Sequence, residues 1–255
     1  MATLISEKNA KQKLSYYRNL CGNQHIDING EYHYGHIFTR LELQNMAGAE
    51  SDGKGIIAML ALDGQSPSHT LSLVLAGVQS NGNVDRTGLY ISNKAPYEGR
   101  IGVFTKIAKY LGKINLESFN LENIKETEFN QVAVEGGVST MVPYKFYQGF
   151  LMYCFFAEQN PLYVDLPFNS NNKLKALNIS HDELSDLELW IGNGSDYFIF
   201  VPLIKYEDHI GRQLNKHHLT FALVRINSRG EIVGSIQEYF SPCPAGCDAY
   251  DNFMT

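Results

Sequence analysis

Residues 69–83 read HTLSLVLAGVQSNGN, and residues 217–231 read HHLTFALVRINSRGE. Aligned at an offset of 148, five of the fifteen positions are identical: His69/His217, Leu71/Leu219, Leu75/Leu223, Ser80/Ser228 and Gly82/Gly230. Chance gives about one identity, but many offsets exist, so the flanks must agree before the window means anything. In the first copy Leu71, Leu73 and Leu75 alternate with Ser72 and Val74, the period of a strand. Asn81-Gly82 follows, a pair suited to a tight hairpin turn because both residues tolerate positive φ. Leu89, Tyr90 and Ile91 then read as the return strand. In the second copy Leu219, Phe221 and Leu223 alternate with Thr220 and Ala222, Arg229-Gly230 makes the turn, and Ile232 to Phe240 returns.

Upstream of each hairpin lies another apolar run, Gly55 to Leu62 (GIIAMLAL) and Tyr197 to Ile204 (YFIFVPLI). Pro202 places the second run at a sheet edge or a bulge, because proline cannot donate to a ladder. Further upstream a helical stretch is expected each time. Ile37, Leu41 and Met46 form the first face, and Ser180 with Glu183 has the S-x-x-E spacing of a capping box. The fold class is therefore α+β: two αβββ units from an internal duplication, with antiparallel sheets and helices packed between them or on one face. The expected organisation is an N-terminal αβββ lobe over 1–100, a mainly helical connecting segment over 101–170 and a C-terminal αβββ lobe over 171–255, in one compact body. Within the connecting segment, Ile101 to Leu111 and the apolar run Phe146 to Ala157 read as helices, and residues 115–130 are polar and irregular. Leu71, Leu73, Leu75, Leu219, Phe221 and Leu223 are expected on the helix-covered face.

Hydrophobic residues make up 44% of the 255 and charged residues 19%, which suits a packed core and argues against global disorder. The net charge is −6 and no Lys/Arg cluster occurs, so nucleic acid is not an expected partner. Lys8, Lys11, Lys13 and Arg18 read as the solvated face of a helix. The run from Phe146 to Ala157 is too short for a bilayer, which needs about 20 residues. With no signal-peptide pattern and four cysteines read as reduced thiols, a cytoplasmic protein without a membrane partner is expected.

The hairpin Leu73-Val74-Leu75-Ala76-Gly77-Val78-Gln79-Ser80-Asn81-Gly82-Asn83, preceded by Gly35-His36-Ile37-Phe38 as the opening of a helix, resembles short uncharacterised bacterial proteins with an LVGVDxNGN-type hairpin. Ser241-Pro242-Cys243-Pro244-Ala245-Gly246-Cys247 is similar to their PCPxxC-type ending. Gln79 stands where those proteins usually carry Asp, and the ending occurs once. The family has no known activity, so the resemblance implies architecture and no catalytic residue.

Cys243 and Cys247, with His33 and His36 spaced H-x-x-H, could supply a Cys2His2 zinc set. The competing reading is an ordered Pro-flanked turn with two ordinary thiols. Asp248 and Asp251 nearby disfavour a reactive thiolate. His69, His217 and His218 precede the core strands and are expected to cap strand ends or face solvent. Gly192 to Asp196 reads as a turn, lacking both the Lys of a phosphate loop and the spaced acids of a calcium loop. His181, Asp182, Glu183 and Asp186 form an acidic helix start that complements the dipole. Tyr239, Phe240, Tyr250 and Phe253 give an aromatic tail that either closes the second sheet or is a recognition peptide. No P-loop, nucleophile elbow or H-E-x-x-H occurs. The expected function is a non-catalytic binding or interaction module without a cofactor, acting on an unidentified protein or small molecule, with a homodimer as one arrangement. The alternative is a metal-dependent hydrolase using zinc at His33, His36, Cys243 and Cys247, or a site at His69 and His217.

Overall fold

The computed structural model of the chain describes residues 2–19, 36–47, 53–63, 70–92, 175–186, 197–207, 216–227, 233, 241–243 and 248–255. Among these residues, four helices and two antiparallel sheets form an α+β fold. The larger sheet contains β1 (Thr3–Leu4), β3 (Gly55–Asp63), β4 (Thr70–Val78), β5 (Tyr90–Ile91), β6 (Ala176–Ser180) and β9 (Ser241–Cys243). Its order is β1-β5-β4-β3-β6-β9. The smaller sheet contains β2 (His36–Thr39), β7 (Tyr197–Glu207) and β8 (Lys216–Ile226), in the order β2-β7-β8. The helices are α1 (Glu7–Arg18), α2 (Arg40–Ala47), α3 (His181–Asp186) and α4 (Asp248–Met254). Each sheet thus draws strands from both ends of the chain. The connecting segment 101–170 and the two helices expected in it lie outside the described residues.

The hairpin of β3 and β4 is the centre of the larger sheet. Leu62 pairs with Leu71, Leu60 with Leu73, Ala58 with Leu75 and Ile56 with Gly77 on one face. Ala61 pairs with Ser72, Met59 with Val74 and Ile57 with Ala76 on the other. Ile56 through Leu62 and Leu71 through Ala76 are all buried. A strand buried on both faces reads as a continuous apolar run rather than an alternation, which is the reading of GIIAMLAL. The Leu71, Leu73 and Leu75 face was expected to be the helix-covered one. The structure places helices on both sides. α2 approaches the leucine face at its end, where a Cβ on Gly77 would lie 2.3 Å from the Met46 carbonyl oxygen. α1 and α4 cover the opposite face, packing Ala10, Leu14, Tyr250 and Phe253 against Ile57, Met59, Ala61, Val74, Ala76 and Ala176. Tyr250 and Phe253 of the aromatic tail therefore cover the larger sheet through α4, and Tyr239 and Phe240 lie outside the described residues.

Local chemistry explains the helix starts. Ser6 caps α1 in an extended conformation, its Oγ accepting from Asn9 N–H at 3.3 Å, and Glu7 and Arg18 lie at the dipole ends that favour them. Ala10, Leu14 and Tyr17 then share one buried stripe. α3 opens with the expected capping box: Ser180 Oγ accepts from Glu183 N–H at 3.2 Å, and Glu183 Oε2 accepts from Ser180 N–H at 2.6 Å. α2 opens with the same device one helix earlier in the chain: Thr39 Oγ1 accepts from Glu42 N–H at 3.2 Å, and Glu42 Oε2 accepts from Thr39 N–H at 2.7 Å. This corrects the start of the first helix. His36, Ile37 and Phe38 are a strand, because the Thr39-x-x-Glu42 box sets the first helical residue at Arg40. Leu41 is accordingly exposed, while Leu43 and Met46 face the core.

The turn after β4 is longer than a two-residue hairpin. Gly82 N–H donates to the Gln79 carbonyl and Gln79 N–H to the Asn83 carbonyl, both at 2.8 Å, while Asn81 Oδ1 accepts from Asn83 N–H. Gly82 takes the positive φ, 83°, that the turn requires. The chain then returns with Asp85 N–H donating to the Gly77 carbonyl at 2.9 Å. After β8, Val233 N–H donates to the Arg225 carbonyl at the same distance. These two bonds stand at the 148-residue offset of the opening repeat.

The smaller sheet is also buried through its middle, with Phe198 to Val201 and Phe221 to Val224 buried consecutively. β2 pairs with β7 only from Tyr197 to Phe200, so Pro202 sits beyond the end of β2 and interrupts no ladder on that side. Replacing Leu73 by Ala opens a cavity in a fully buried layer. The expected outcome is a loss of about 2–5 kcal/mol in a urea melt at unchanged m-value; a midpoint equal to that of the parent chain contradicts the packing described.

Candidate functional site

Of the four metal ligands expected from the sequence, the structure describes two. His36 lies in β2 of the smaller sheet. Cys243 lies in β9 at the edge of the larger sheet, opposite Ala176. His33 and Cys247 lie outside the described residues, as does His69. His217 and His218 fall inside β8, opposite Tyr206 and Lys205, rather than ahead of it. Among the described residues, no group of three or more His, Cys, Asp or Glu side chains could hold a metal ion.

His36 has a different partner. Its Nδ1 lies 2.9 Å from Ser92 Oγ, and its ring packs at a tilt against Phe221 with centroids 5.9 Å apart. Ser92 Oγ also accepts from Leu73 N–H at 3.3 Å, and Ser92 N–H donates to the Leu73 carbonyl at 2.9 Å. The serine is thereby fixed to β4 while its hydroxyl reaches the histidine of the other sheet. A serine and a histidine at this distance have the geometry of a nucleophile and its base. Here His36 is 3% exposed and Ser92 4%, so the pair lies in the core. The pair acts as a polar lock between the sheets.

Among the described residues, a cleft of about 390 Å³ opens at the start of β3, lined by Lys54, Ile56, Val78, Gly82, Asn178, Ile179, Ser180, Glu183 and Ala249. Four separate segments meet there. Gly55, with φ 117°, lets the backbone of β6 approach so closely that a Cβ would lie 2.0 Å from the Ile179 carbonyl oxygen. The α3 capping box holds Glu183 and Ser180 on one wall. On another, the Gly82 turn lies beside Lys54, whose Nζ would be 3.7 Å from a Cβ at that glycine. Lys54 is exposed, and its backbone N–H is fixed to the Val78 carbonyl at 2.8 Å. The cleft thus offers apolar side chains, one exposed cation and one positioned carboxylate. Its volume falls within the range of small-molecule pockets.

The layer of α1 and α4 carries the charge pairs. Glu7 Oε1 lies 3.2 Å from Lys11 Nζ and 2.5 Å from Arg86 Nη1. Lys11 and Arg86 sit 5.6 and 5.7 Å from the centroid of the Phe253 ring. Lys175 pairs with Asp251 at 3.3 Å and lies over Tyr250. The Lys11 contact docks α4 onto α1, and the Lys175 contacts dock it beside the start of β6. Beneath them, burial raises the hydroxyl pKa of Tyr17, with neighbouring Tyr250 adding to it. Burial likewise pushes Tyr250 up to about 12, with Arg18 opposing and Asp251 adding.

No family model, curated protein or solved structure matches the chain. Lys54, Ser92 and the Thr39/Glu42 box were not singled out from the sequence. The Thr-x-x-Glu spacing was a readable signal for the box; Lys54 and Ser92 carry no local signal.

Ser92→Ala leaves the buried His36 Nδ1 and Leu73 N–H without the hydroxyl. It is expected to cost about 1–3 kcal/mol by chemical denaturation, and an unchanged midpoint argues against the lock. The tyrosines set an alkaline limit. With its folded pKa raised, Tyr250 contributes no pH dependence below the unfolded value near 10. Above that value the unfolded state loses its proton first, so stability falls up to about pH 12, by about 2–3 kcal/mol for this group. Tyr250→Phe is expected to flatten part of that slope in urea melts run across this range.

Proposed function

We propose that the protein is a non-catalytic, cytoplasmic binding module built on an internal duplication, with the cleft at the start of β3 as its ligand seat. The duplication is supported by four correspondences. Both halves open a helix with a hydroxyl-and-glutamate box, Thr39/Glu42 and Ser180/Glu183. In both, the hydroxyl residue lies opposite the first residue of the other half's hairpin, Thr39 opposite Tyr197 and Ser180 opposite Gly55. The hairpins share their register, Gly55 with Val78 and Tyr197 with Ile226. Both continue through the same return bond, to Gly77 and to Arg225. On this reading the repeated unit is strand, helix and hairpin, a βαββ version of the αβββ unit expected from the sequence.

The binding reading rests on one observation above all. The histidine–serine pair with a reactive distance is sealed in the core, while the accessible cleft presents a lysine and a capping glutamate on an apolar floor. That set can hold a ligand with an apolar body and an anionic group facing Lys54. Its Ser180 hydroxyl and Glu183 carboxylate are engaged in the α3 capping box. Two measurements test the reading. A fragment set of small carboxylic acids, followed by amide NMR, is expected to shift Lys54, Gly82 and Ser180. Lys54→Ala is expected to weaken those hits about fivefold, the worth of one solvent-screened ion pair near 1 kcal/mol. Metal analysis of chelator-free protein is the second. One zinc per chain, lost in a Cys243→Ser/Cys247→Ser variant together with ester or phosphate hydrolysis, replaces this reading with that of a metal-dependent hydrolase.

A further inference from the structure

Each half of the chain lends a strand to the hairpin of the other. β2 lies antiparallel on the first four residues of β7, with His36 opposite Phe200 and Thr39 opposite Tyr197. β6 lies antiparallel on the first five residues of β3, with Ala176 opposite Met59 and Ser180 opposite Gly55. Neither hairpin has an edge it can leave bare there. Ile56 to Met59 and Phe198 to Val201 are buried on both faces, and an apolar strand with an open edge recruits whatever strand is near. The lent strands bring matching side chains. Phe38 of β2 meets Phe200 of β7 edge-on, with centroids 5.6 Å apart and planes at 88°. Leu177 and Ile179 of β6 are buried beside Ala58 and Ile56 of β3. Ser92 and His36, both of the first half, tie the lent strand β2 back to its own half.

We propose that this boundary is a self-recognition surface: each strand–helix–hairpin unit is a docking module whose partner is a second unit of the same kind, and the chain is a tandem, strand-exchanged pair. The proposal rests on the duplication read above and is independent of the cleft. Recognition then resides in the β2–β7 and β6–β3 pairings rather than in the peptide link. The link only raises the effective concentration of one half around the other.

The test uses the full chain. A site-specific protease sequence is inserted between residues 115 and 130 and cut after folding. The expected result is that both fragments co-elute at the volume of the uncut chain. Their unfolding midpoint is then expected to fall on tenfold dilution, because folding has become bimolecular. Fragments that part on cutting, whether folded singly or aggregated, overturn the proposal. The pairing itself is read in the uncut chain with Ile37→Cys/Ile199→Cys and, separately, Ile57→Cys/Asn178→Cys, which join equivalent positions of the two exchanges. Mild oxidation is expected to yield disulfide-linked peptides from both halves in each variant. A folded chain that yields neither crosslink also overturns it. A failure of carboxylic acids to bind the cleft counts against the binding reading alone.

Discussion

The backbone ladder between β3 and β6 is the constraint on which the larger sheet depends. β3 is buried on both faces, so its N–H and C=O groups have no water to turn to and need strands on both sides. β4 supplies one side along its whole length, and β6 supplies the other from Gly55 to Met59. The approach is close enough at Gly55 that only a residue without a Cβ fits. From this joint the rest follows. β9 adds to the far edge of β6, α3 leaves directly from its end, and the layer of α1 and α4 spreads over Met59, Val74 and Ala176 together.

Part of this was legible in the sequence. The strands around Leu71 to Leu75 and Leu219 to Leu223 stand where the repeat placed them, because alternation reports local geometry, while the Arg229-Gly230 turn and most of the return strand expected after it lie outside the described residues. The strand before each helix was hidden. His36-Ile37-Phe38 runs into a helix without a break, so its apolar residues read as a helical face, although Thr39 and Glu42 carried the spacing used to place the second helix. Which faces of β3 and β4 are buried was not legible, because a run such as Ile56 to Leu62 has no alternation to betray a solvent side. Partners distant in sequence were hidden for a further reason. His36 has a close neighbour in His33, and that spacing suggested a metal. Its observed partner, Ser92, lies far along the chain in a segment with no motif.

Several polar side chains, at the helix starts and in the core, are spent on architecture. Thr39, Glu42, Ser180 and Glu183 satisfy helix starts, and Ser92 satisfies both a strand and a histidine. Buried polar groups that are fully paired specify one arrangement among many that apolar packing alone would allow. Lys11, Arg86 and Lys175 gather at the docking of α4, around Phe253 and Tyr250. There they hold α4 to α1, to the segment after β4 and to the start of β6.

The double-sided burial of β3 and β4 also sets a problem of order in time. Both strands leave the ribosome well before residues 176–180, which form the neighbour of β3, and before residues 248–254, which form part of its cover. During that interval GIIAMLAL and LSLVLAGV are long, apolar and weakly charged, the composition that stacks into cross-β fibres. Folding through such long-range pairings is slow, since loop closure is met before contacts reward it. A nascent chain of this kind therefore has its window of aggregation ahead of the completed fold, and the speed with which the second half is synthesised and docked governs its yield.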